Sequence, residues 1–360
     1  MKQFDGGVLP DKAIRALIDA RAIQSSRSIA DTAVQPASLD LRLGDTAHRV
    51  RASFLAGQGR SVSDRLAEFE MHCIPLDDGA VLERGAVYLV RLAERLALPP
   101  DIRATCNAKS STGRVDVMTR IIADDGTEFD RVPTGYQGPL WAELCPRSFA
   151  VLVRTGLSLA QIRFHRGDAV LSDDALRGLD AEAGLTGDGA AVIADGLAFS
   201  VDLAPGQDGL VGWRAKAHPG MIDLTRTGAH DPHRFWDPLR LTAGEPLILD
   251  PGAFYILVSR EAVRIPPGFA AEMAPYLAMV GEFRVHYAGF FDPGFGHDTP
   301  ARGVLEVRCH EAPFALEHGQ PVGRLIYERM AAPPDRLYGA GIASNYQGQG
   351  LKLSKHFRAP

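Results

Sequence analysis

Residues 106 to 117 read CNAKSSTGRVDV, a run that places two hydroxyls between two cations. Lys109 offers a point charge, Arg114 a planar fork of donors, and Ser110 and Ser111 short hydroxyl donors. Phosphate oxygens accept hydrogen bonds from all of these groups. Apolar residues flank the run, which predicts that it lies at the end of a buried strand. A polar turn is the ordinary interpretation, a phosphate site is the alternative, and the run alone leaves both open.

A second stretch, HYAGFFDPGFG (286–296), has aromatic residues on both sides of an Asp-Pro-Gly turn. Such a turn could form a slot for a flat ring, with backbone groups reading the edge of the ring. The alternative is an ordinary β-hairpin with an aromatic core pair. Glu306 follows in GVLEV (303–307), and a carboxylate held against water can take and return its proton. A strand glutamate facing solvent is the competing interpretation.

The two halves of the chain repeat each other. Four blocks of the first half recur in the same order in the second, each with matching Asp, Gly, Tyr, Glu or Pro positions. The blocks are 8–17 with 170–179, 38–43 with 200–205, 82–104 with 249–271, and 140–164 with 303–327. We therefore predict a tandem duplication, with one domain at 1–167 and the other at 168–360.

The fold class follows from composition and pattern. The chain has 37 glycines and 24 prolines among many short Val, Leu and Ile runs, which is typical of a β-rich protein. Each copy begins with a short helix, with Pro10 in the first turn of one and Ser172 as the cap of the other. The segments 38–43 and 200–205 alternate as strands do, and 185–196 reads as a loop. We predict two tandem domains, mostly β, of barrel or jelly-roll type with short helices.

The copies differ where chemistry is expected. Opposite the KSS cluster and its arginine, the second copy has only Tyr276, Leu277, Ala278 and Gly281, and the first copy lacks the Asp-Pro-Gly turn. One copy thus holds cations and hydroxyls, and the other holds the aromatic turn and Glu306. This indicates a composite site between two domains, with phosphates on the first copy and base on the second. The domains could belong to one chain or to neighbouring chains.

Bulk properties narrow the function. A formal net charge of -5 argues against a broad nucleic-acid surface, although one nucleotide could still find a local basic pocket. No apolar run approaches the 18 residues that a membrane span needs, and no secretory signal is visible at the N-terminus. The four cysteines are widely separated along the sequence, and we interpret them as reduced thiols. We expect a cytoplasmic protein.

Together these stretches resemble the dCTP deaminases of the trimeric dUTPase-like superfamily, in the long duplicated form found in some bacteria. The resemblance covers nearly the whole chain as two copies of the family domain. It is carried by KSSTGR (109–114), AGFFDPGF (288–295), VLEV (304–307), QPASLDLRLG (35–44) and YGAGIASNYQGQG (338–350). It implies two dUTPase-like distorted jelly-roll domains.

The resemblance also implies roles for residues of the first copy and for the glutamate. Lys109 stands where the family usually has an arginine and would contact the triphosphate. Ser110 and Ser111 would face phosphate, with Ser110 close to the reacting ring. Arg114 would orient the catalytic water and the carboxylate of Glu306, the catalytic glutamate.

Further roles follow for the second copy. The backbone carbonyl of Ala288 would contact the water, and Asp292 would belong to the deoxyribose-binding hairpin. Phe295 would pack beneath the sugar and disfavour a ribose 2′-hydroxyl. Tyr338 and Gln349 would contact the nucleotide from a tail that closes over it.

The tail departs from the family pattern at Asn345, where the family has a lysine. Lys352 or Lys355 is the candidate substitute. Glu143, the first-copy counterpart of Glu306, reads as a solvent-facing or vestigial residue.

We therefore expect an enzyme, a hydrolase acting on a cyclic amidine C–N bond, that converts dCTP to dUTP and ammonia by water attack at cytosine C4. The cluster Cys309-His310 lacks a third spaced ligand and no CxxC exists, so zinc is not expected. Mg²⁺ would bind through the triphosphate. The alternatives are dUTP hydrolysis to dUMP and pyrophosphate, both activities in one site, or a non-catalytic sensor of dCTP or dTTP. The family also implies a homo-oligomer.

Overall fold

The structure is a computed structural model that describes residues 6–187, 189, 191–206, 208–275, 283–286, 289–339 and 350–359. Within these residues there are 24 strands, four α-helices and two 3-10 turns, so the predicted mostly β fold with short helices is confirmed. We keep the predicted boundaries as names: domain one is 1–167 and domain two is 168–360. None of the helices described is long and apolar enough for a bilayer crossing.

The elements of domain one are three helices, one 3-10 turn and twelve strands, all short except β3, β6 and β10. They are β1 (Gly7–Val8), α1 (Asp11–Asp19), β2 (Ile23–Ser25), a 3-10 turn (Asp31–Ala33), β3 (Leu39–Val50), α2 (Val62–Phe69), β4 (Glu70–Pro75), β5 (Ala80–Leu82), β6 (Val87–Ala97), β7 (Ile102–Ala108), α3 (Ser110–Gly113), β8 (Val117–Ala123), β9 (Arg131–Val132), β10 (Gln137–Pro146), β11 (Val151–Val153) and β12 (Ser158–Arg166).

Domain two has one described helix, one 3-10 turn and twelve strands. They are α4 (Asp173–Ala183), β13 (Leu197–Ser200), β14 (Leu210–Ala215), β15 (Ile222–Asp223), a 3-10 turn (Pro232–Arg234), β16 (Trp236–Arg240), β17 (Leu247–Leu249), β18 (Phe254–Val263), β19 (Phe269–Pro275), β20 (Phe283–His286), β21 (Phe290–Phe291), β22 (Ala301–Cys309), β23 (Phe314–Leu316) and β24 (Pro321–Arg329).

Most local predictions from sequence hold. Helix α1 begins after Pro10, and α4 begins after Ser172, whose hydroxyl accepts a hydrogen bond from the Ala175 amide. The strand predicted over 38–43 is the start of β3. The strand predicted over 200–205 is wrong beyond its first residues, because the Leu203 amide donates to the His318 ring instead of to a neighbouring strand.

Domain one is organised around one ten-stranded sheet. Its central order is β8-β10-β6-β3-β12-β7-β9, with β1, β2 and β4 pairing at the sides. In β3 the residues Leu39, Leu41 and Leu43 alternate inward and are buried, as the two-residue period of a strand requires. Helix α2 covers part of the outer face of the sheet, where its Val62 and Leu66 join a small separate apolar cluster.

Domain two contains three smaller sheets and packs against domain one. Strand β22 shows how the two are joined. Its residues Leu305 and Val307 enter the core of domain two, whereas Val304 joins the apolar cluster centred on domain one. Glu306 lies on the same side of the strand as Val304 because side chains alternate. Strand β15 of domain two also pairs in parallel with β11 of domain one.

Candidate active site

The cation-hydroxyl run lies at the edge of domain one that faces domain two. Strand β7 ends at Ala108, and Lys109 precedes the single-turn helix α3. The Lys109 amide donates to the Leu159 carbonyl at 2.9 Å, which ties this junction to β12. The Lys109 ammonium forms an ion pair with Asp40 on β3. Ser111 is buried, whereas Ser110 is partly exposed. The predicted placement after a buried strand is confirmed.

Arg114 and Glu306 meet between the domains. Arg114 follows α3, Glu306 lies on β22, and the arginine Nε is 4.0 Å from Glu306 Oε1. Both residues are only 3% exposed. The arginine also donates to the Lys352 carbonyl at 3.0 Å. The pair forms between the two domains of a single chain.

Burial decides the electrostatics of Glu306. It raises the pKa of the carboxyl well above the ordinary glutamate value; Arg114 acts in the opposite direction and Asp116 adds to the rise. The sequence could not tell whether desolvation or the arginine would prevail, and the structure favours desolvation. A carboxyl with a raised pKa can exchange protons closer to neutral pH than an ordinary glutamate can.

A second buried ion pair, between Arg308 and Asp116, lies next to the pair of Arg114 and Glu306 in sequence. Arg308, two residues after Glu306 on the same side of β22, donates to the Asp116 carboxylate, and the Ser148 hydroxyl donates to the same oxygen. Burial raises the pKa of Asp116, while Arg308 acts to lower it. The pair therefore links β22 to the segment that directly follows Arg114.

The aromatic turn lies against the same helix. Strand β21 leads into a turn in which the Phe295 amide donates to the Asp292 carbonyl at 3.0 Å. A methyl group on the α-carbon of Gly289 would lie 3.2 Å from Ser110 Oγ, so the hairpin approaches Ser110 closely. Phe295 is buried, with its ring 5.7 Å from that of Tyr338. The Tyr338 amide donates to the Pro293 carbonyl, which joins the start of the tail to the turn.

Two family models match the chain. The model of the 2'-deoxycytidine 5'-triphosphate deaminase N-terminal domain matches residues 5–168, and that of the C-terminal domain matches residues 172–357. The chain belongs to the dCTP deaminase family. The resemblance inferred from KSSTGR, AGFFDPGF and VLEV is thereby confirmed.

Known members of the dCTP deaminase family resemble the chain to different extents. A crystal structure of 2'-deoxycytidine 5'-triphosphate deaminase from Agrobacterium tumefaciens is 51% identical, with a TM-score of 0.88, over 91% of this chain and 100% of that one. The dUMP-forming dCTP deaminase of Mycobacterium leprae (strain TN) is 35% identical over 171 residues, 42% of this chain and 83% of that enzyme. The dUMP-forming enzyme of Clavibacter michiganensis is 39% identical over 111 residues, 29% of this chain and about half (53%) of that enzyme.

The last described segment, 350–359, folds back over Ser111 and Arg114. The Ser354 hydroxyl donates to the Ser111 carbonyl at 2.7 Å, next to the bond between Arg114 and the backbone of residue 352. Leu353 and Phe357 are buried and anchor the segment. Burial lowers the pKa of Lys355, and Lys109 lowers it further, so the two ammonium groups share one electrostatic neighbourhood.

Ala288, Asn345 and Gln349 lie outside the described residues, as do Tyr276, Leu277, Ala278 and Gly281 of the second copy. The structure brings the other candidates together along the boundary between the domains. Within the described part of the chain, no three His, Cys, Asp or Glu side chains are grouped as a metal site would require. The Cys309 thiol is buried and bonds to the Ala312 carbonyl.

The first-copy counterpart of the site is covered. Glu143 is 1% exposed and bound by Arg120 at 2.6 Å, so the expectation of a solvent-facing residue is wrong. Its strand neighbour Trp141 packs under helix α2, in the cluster with Val62 and Leu66. Glu143 is thus buried and paired with an arginine, as Glu306 is. In domain one, however, helix α2 covers this face of the sheet.

Sequence reasoning missed four charged residues around the site: Asp40, Asp116, Arg163 and Arg308. A signal existed for three of them. Asp40 lies inside QPASLDLRLG, Asp116 lies inside CNAKSSTGRVDV, and Arg308 follows Glu306 at the two-residue spacing that keeps side chains on one face of a strand. Arg163 carries no comparable local signal.

Proposed function

We propose that the protein deaminates dCTP to dUTP and ammonia, with Glu306 acting as general base and then as general acid. The observation that carries this proposal is the buried pair of Arg114 and Glu306 beside Ser110 and the aromatic turn. Membership of the dCTP deaminase family supports the substrate. The reaction would make the protein a hydrolase of a cyclic amidine C–N bond.

Substrate binding uses both domains in this proposal. The triphosphate lies at Lys109, Ser110 and Ser111, because an ammonium and short hydroxyls at the start of α3 suit phosphate oxygens. The deoxyribose lies against the turn that contains Asp292 and Phe295. We expect Mg²⁺ to bind through the triphosphate oxygens, where it neutralises phosphate charge, and no chemical step depends on it.

The chemical steps balance with one carboxylate. Ionised Glu306 accepts a proton from water as the water oxygen bonds to C4, and the C4–N3 π electrons move to N3. The carboxyl then gives this proton to N3, leaving a neutral tetrahedral intermediate. Glu306 next carries the proton of the new C4 hydroxyl to the amine, and ammonia leaves as the C4 carbonyl forms. The carboxylate is regenerated without zinc.

The protein environment supports these roles. Burial raises the pKa of Glu306, which makes its carboxylate a stronger base than an ordinary glutamate. Arg114 limits that rise and holds the carboxylate from one side, so the ionised form stays available. General acid–base catalysis of this kind contributes on the order of 10²–10⁴-fold in rate.

A second candidate product is dUMP. Relatives from Mycobacterium leprae and Clavibacter michiganensis carry the name dUMP-forming dCTP deaminase. A site of that type also hydrolyses the triphosphate, and Asp292 stands where the dUTPases of the superfamily have a water-activating aspartate. In this chain the Asp292 carboxylate is engaged by Arg163 at 3.1 Å. We therefore favour dUTP as the released product.

Product analysis tests the proposal. The purified protein is incubated with dCTP or dUTP, with Mg²⁺, with and without a zinc-selective chelator, and the products are identified by mass. Ammonia and dUTP from dCTP, unaffected by the chelator, support it. Release of dUMP and pyrophosphate from dCTP would replace it with the bifunctional reaction. Tight dCTP binding without turnover would make the protein a sensor.

A further inference from the structure

One face of strand β12 carries three polar residues into the boundary between the domains. Gln161, Arg163 and His165 alternate along the strand and therefore point to the same side. Arg163 is fully buried, which is rare for an arginine. A buried guanidinium must be paired and hydrogen-bonded, so its partners indicate what it does.

The partners of Arg163 belong to domain two and concentrate on the hairpin. Its Nη2 donates to Asp292 Oδ1 at 3.1 Å and to the Phe291 carbonyl at 3.3 Å. Its Nη1 donates to the Ala271 carbonyl at 3.0 Å, on the strand that pairs with β21. The guanidinium carbon also lies 4.1 Å from the centre of the Phe290 ring. One side chain of domain one thus contacts three consecutive hairpin residues.

The charge of Arg163 is balanced from two directions. Asp292 faces one end of the guanidinium, and Glu328 Oε2 lies 3.6 Å from the other. Glu328 is fixed in turn by His165 at 3.0 Å. Breaking such a buried network at one partner leaves a charge uncompensated, so the arrangement resists displacement. The hairpin is therefore tied to the central sheet of domain one.

The residue just before these three hairpin residues, Gly289, is the part of the hairpin that meets Ser110. The position of a methyl group on Gly289 lies 3.2 Å from Ser110 Oγ and 3.8 Å from Gln161 Nε2. Movement of the hairpin away from β12 would open this gap. If the hairpin excludes the 2′-hydroxyl of ribose by size, it must not move back by ~1 Å, a displacement large enough to cost an active site its geometry.

We propose that Arg163 is a positioning residue that fixes the hairpin against domain one and thereby sets the discrimination between deoxyribose and ribose nucleotides. The inference rests on the proposed function, because it assumes that the hairpin binds the sugar. Arg163 does not touch the reacting atoms. Its loss affects selectivity and KM before it affects the chemical step.

The test compares Arg163→Lys with Arg166→Lys. Lysine keeps the charge at 163 but lacks the planar fork that bonds to several acceptors and stacks on a ring. Arg166 lies on the same strand, half-exposed, and pairs with exposed Asp101, so it is the matched control. The measurements are kcat and KM for dCTP and for CTP, together with thermal melts.

Arg163→Lys is expected to reduce the ratio of kcat/KM for dCTP over CTP by about tenfold, which corresponds to ~1.4 kcal/mol. The dCTP kcat should stay within about threefold of wild type, and Arg166→Lys should change neither quantity. A folded Arg163→Lys protein with an unchanged ratio overturns the proposal. Equal losses of kcat for both nucleotides also overturn it, since a general structural defect would produce them.

A second variant and a second measurement cover the cases in which Arg163→Lys does not fold or the wild-type protein is inactive. If Arg163→Lys does not fold, Phe290→Leu removes the stacked ring alone and should lower the same ratio by a smaller factor; no change in that ratio counts against the proposal. If wild-type protein turns over neither nucleotide, the proposed deamination fails. The ratio of dCTP to CTP affinities, measured by calorimetry, then tests Arg163 in the same way.

Discussion

The replacement Glu306→Gln gives the sharpest test of the proposed chemistry. Glutamine has nearly the same size and shape but cannot accept the proton of water. Arg114 keeps its 3.0 Å bond to the Lys352 carbonyl, so the pocket retains a support that does not depend on the carboxylate. Because burial disfavours the charged form of Glu306, removing the charge should not destabilise the fold.

The expected loss in kcat is the general acid–base contribution, on the order of 10²–10⁴-fold. At 1.36 kcal/mol per factor of ten, this corresponds to about 2.7 to 5.4 kcal/mol of transition-state stabilisation. The affinity for dCTP should stay within about tenfold of wild type, because the carboxylate acts on the water and the ring rather than on the triphosphate. Ammonia release gives kcat, and calorimetry gives the affinity.

Domain one supplies a matched control in Glu143→Gln. Glu143 occupies the corresponding strand position, is equally buried and also faces an arginine, Arg120 at 2.6 Å. The replacement removes the negative charge from a charge-assisted hydrogen bond worth roughly 1.5–3 kcal/mol of stability, so it should cost part of that stability but leave kcat unchanged. Turnover by Glu306→Gln within tenfold of wild type would refute the reasoning, as would an equal loss of kcat in Glu143→Gln.

Four further predictions concern Glu306 and the residues around it. Because burial raises its pKa, kcat/KM for dCTP should rise with pH through that raised value, and Arg114→Met should move the rise to higher pH; an unmoved profile would contradict this. The folded state binds the Glu306 proton more tightly than the unfolded chain does, so the stability from this group falls as pH increases above about 4.5. The free energy of unfolding, measured with urea at several pH values, should therefore change less with pH in Glu306→Gln than in the wild type. Arg308→Met should lower the free energy of unfolding by about 3–5 kcal/mol, because Asp116 remains buried without its cation, and Arg308→Met combined with Asp116→Asn should recover part of that loss in the same urea titration. Ser354→Ala removes one tail hydrogen bond, worth about 0.5–1.5 kcal/mol, and should raise KM for dCTP by less than tenfold; a fall in kcat at constant KM would point to a different role.

Much of the fold could be read from local signals. The strand periodicity at 38–43, Pro10 before α1 and the Ser172 cap are properties of short segments, and the structure agrees with each. The strand prediction for 200–205 was wrong although the residues alternate as in a strand. The Leu203 amide donates its hydrogen bond to His318, which is far away in sequence. A local sequence pattern does not show which distant group will accept a hydrogen bond from a backbone amide.

The candidate site was partly predictable for a similar reason. Lys109, the two serines, Arg114 and Glu306 were recognisable by residue type and by the way the two copies diverge. Arg163 was not, because β12 reads as an ordinary strand and its arginine gains meaning only from Asp292 and Glu328 in the other domain.

The sequence by itself determined which groups are available and that the chain is a doubled, mostly β member of its family, because residue types, strand alternation and the repeat are written along the chain. Only the tertiary structure decided that Arg114 reaches Glu306 within one chain, that desolvation outweighs the arginine at this carboxyl, and that Glu143 is buried against Arg120. The physical reason is that pKa values and ion pairs depend on burial and on distances between residues remote in sequence. Those quantities exist only once the two domains have packed together.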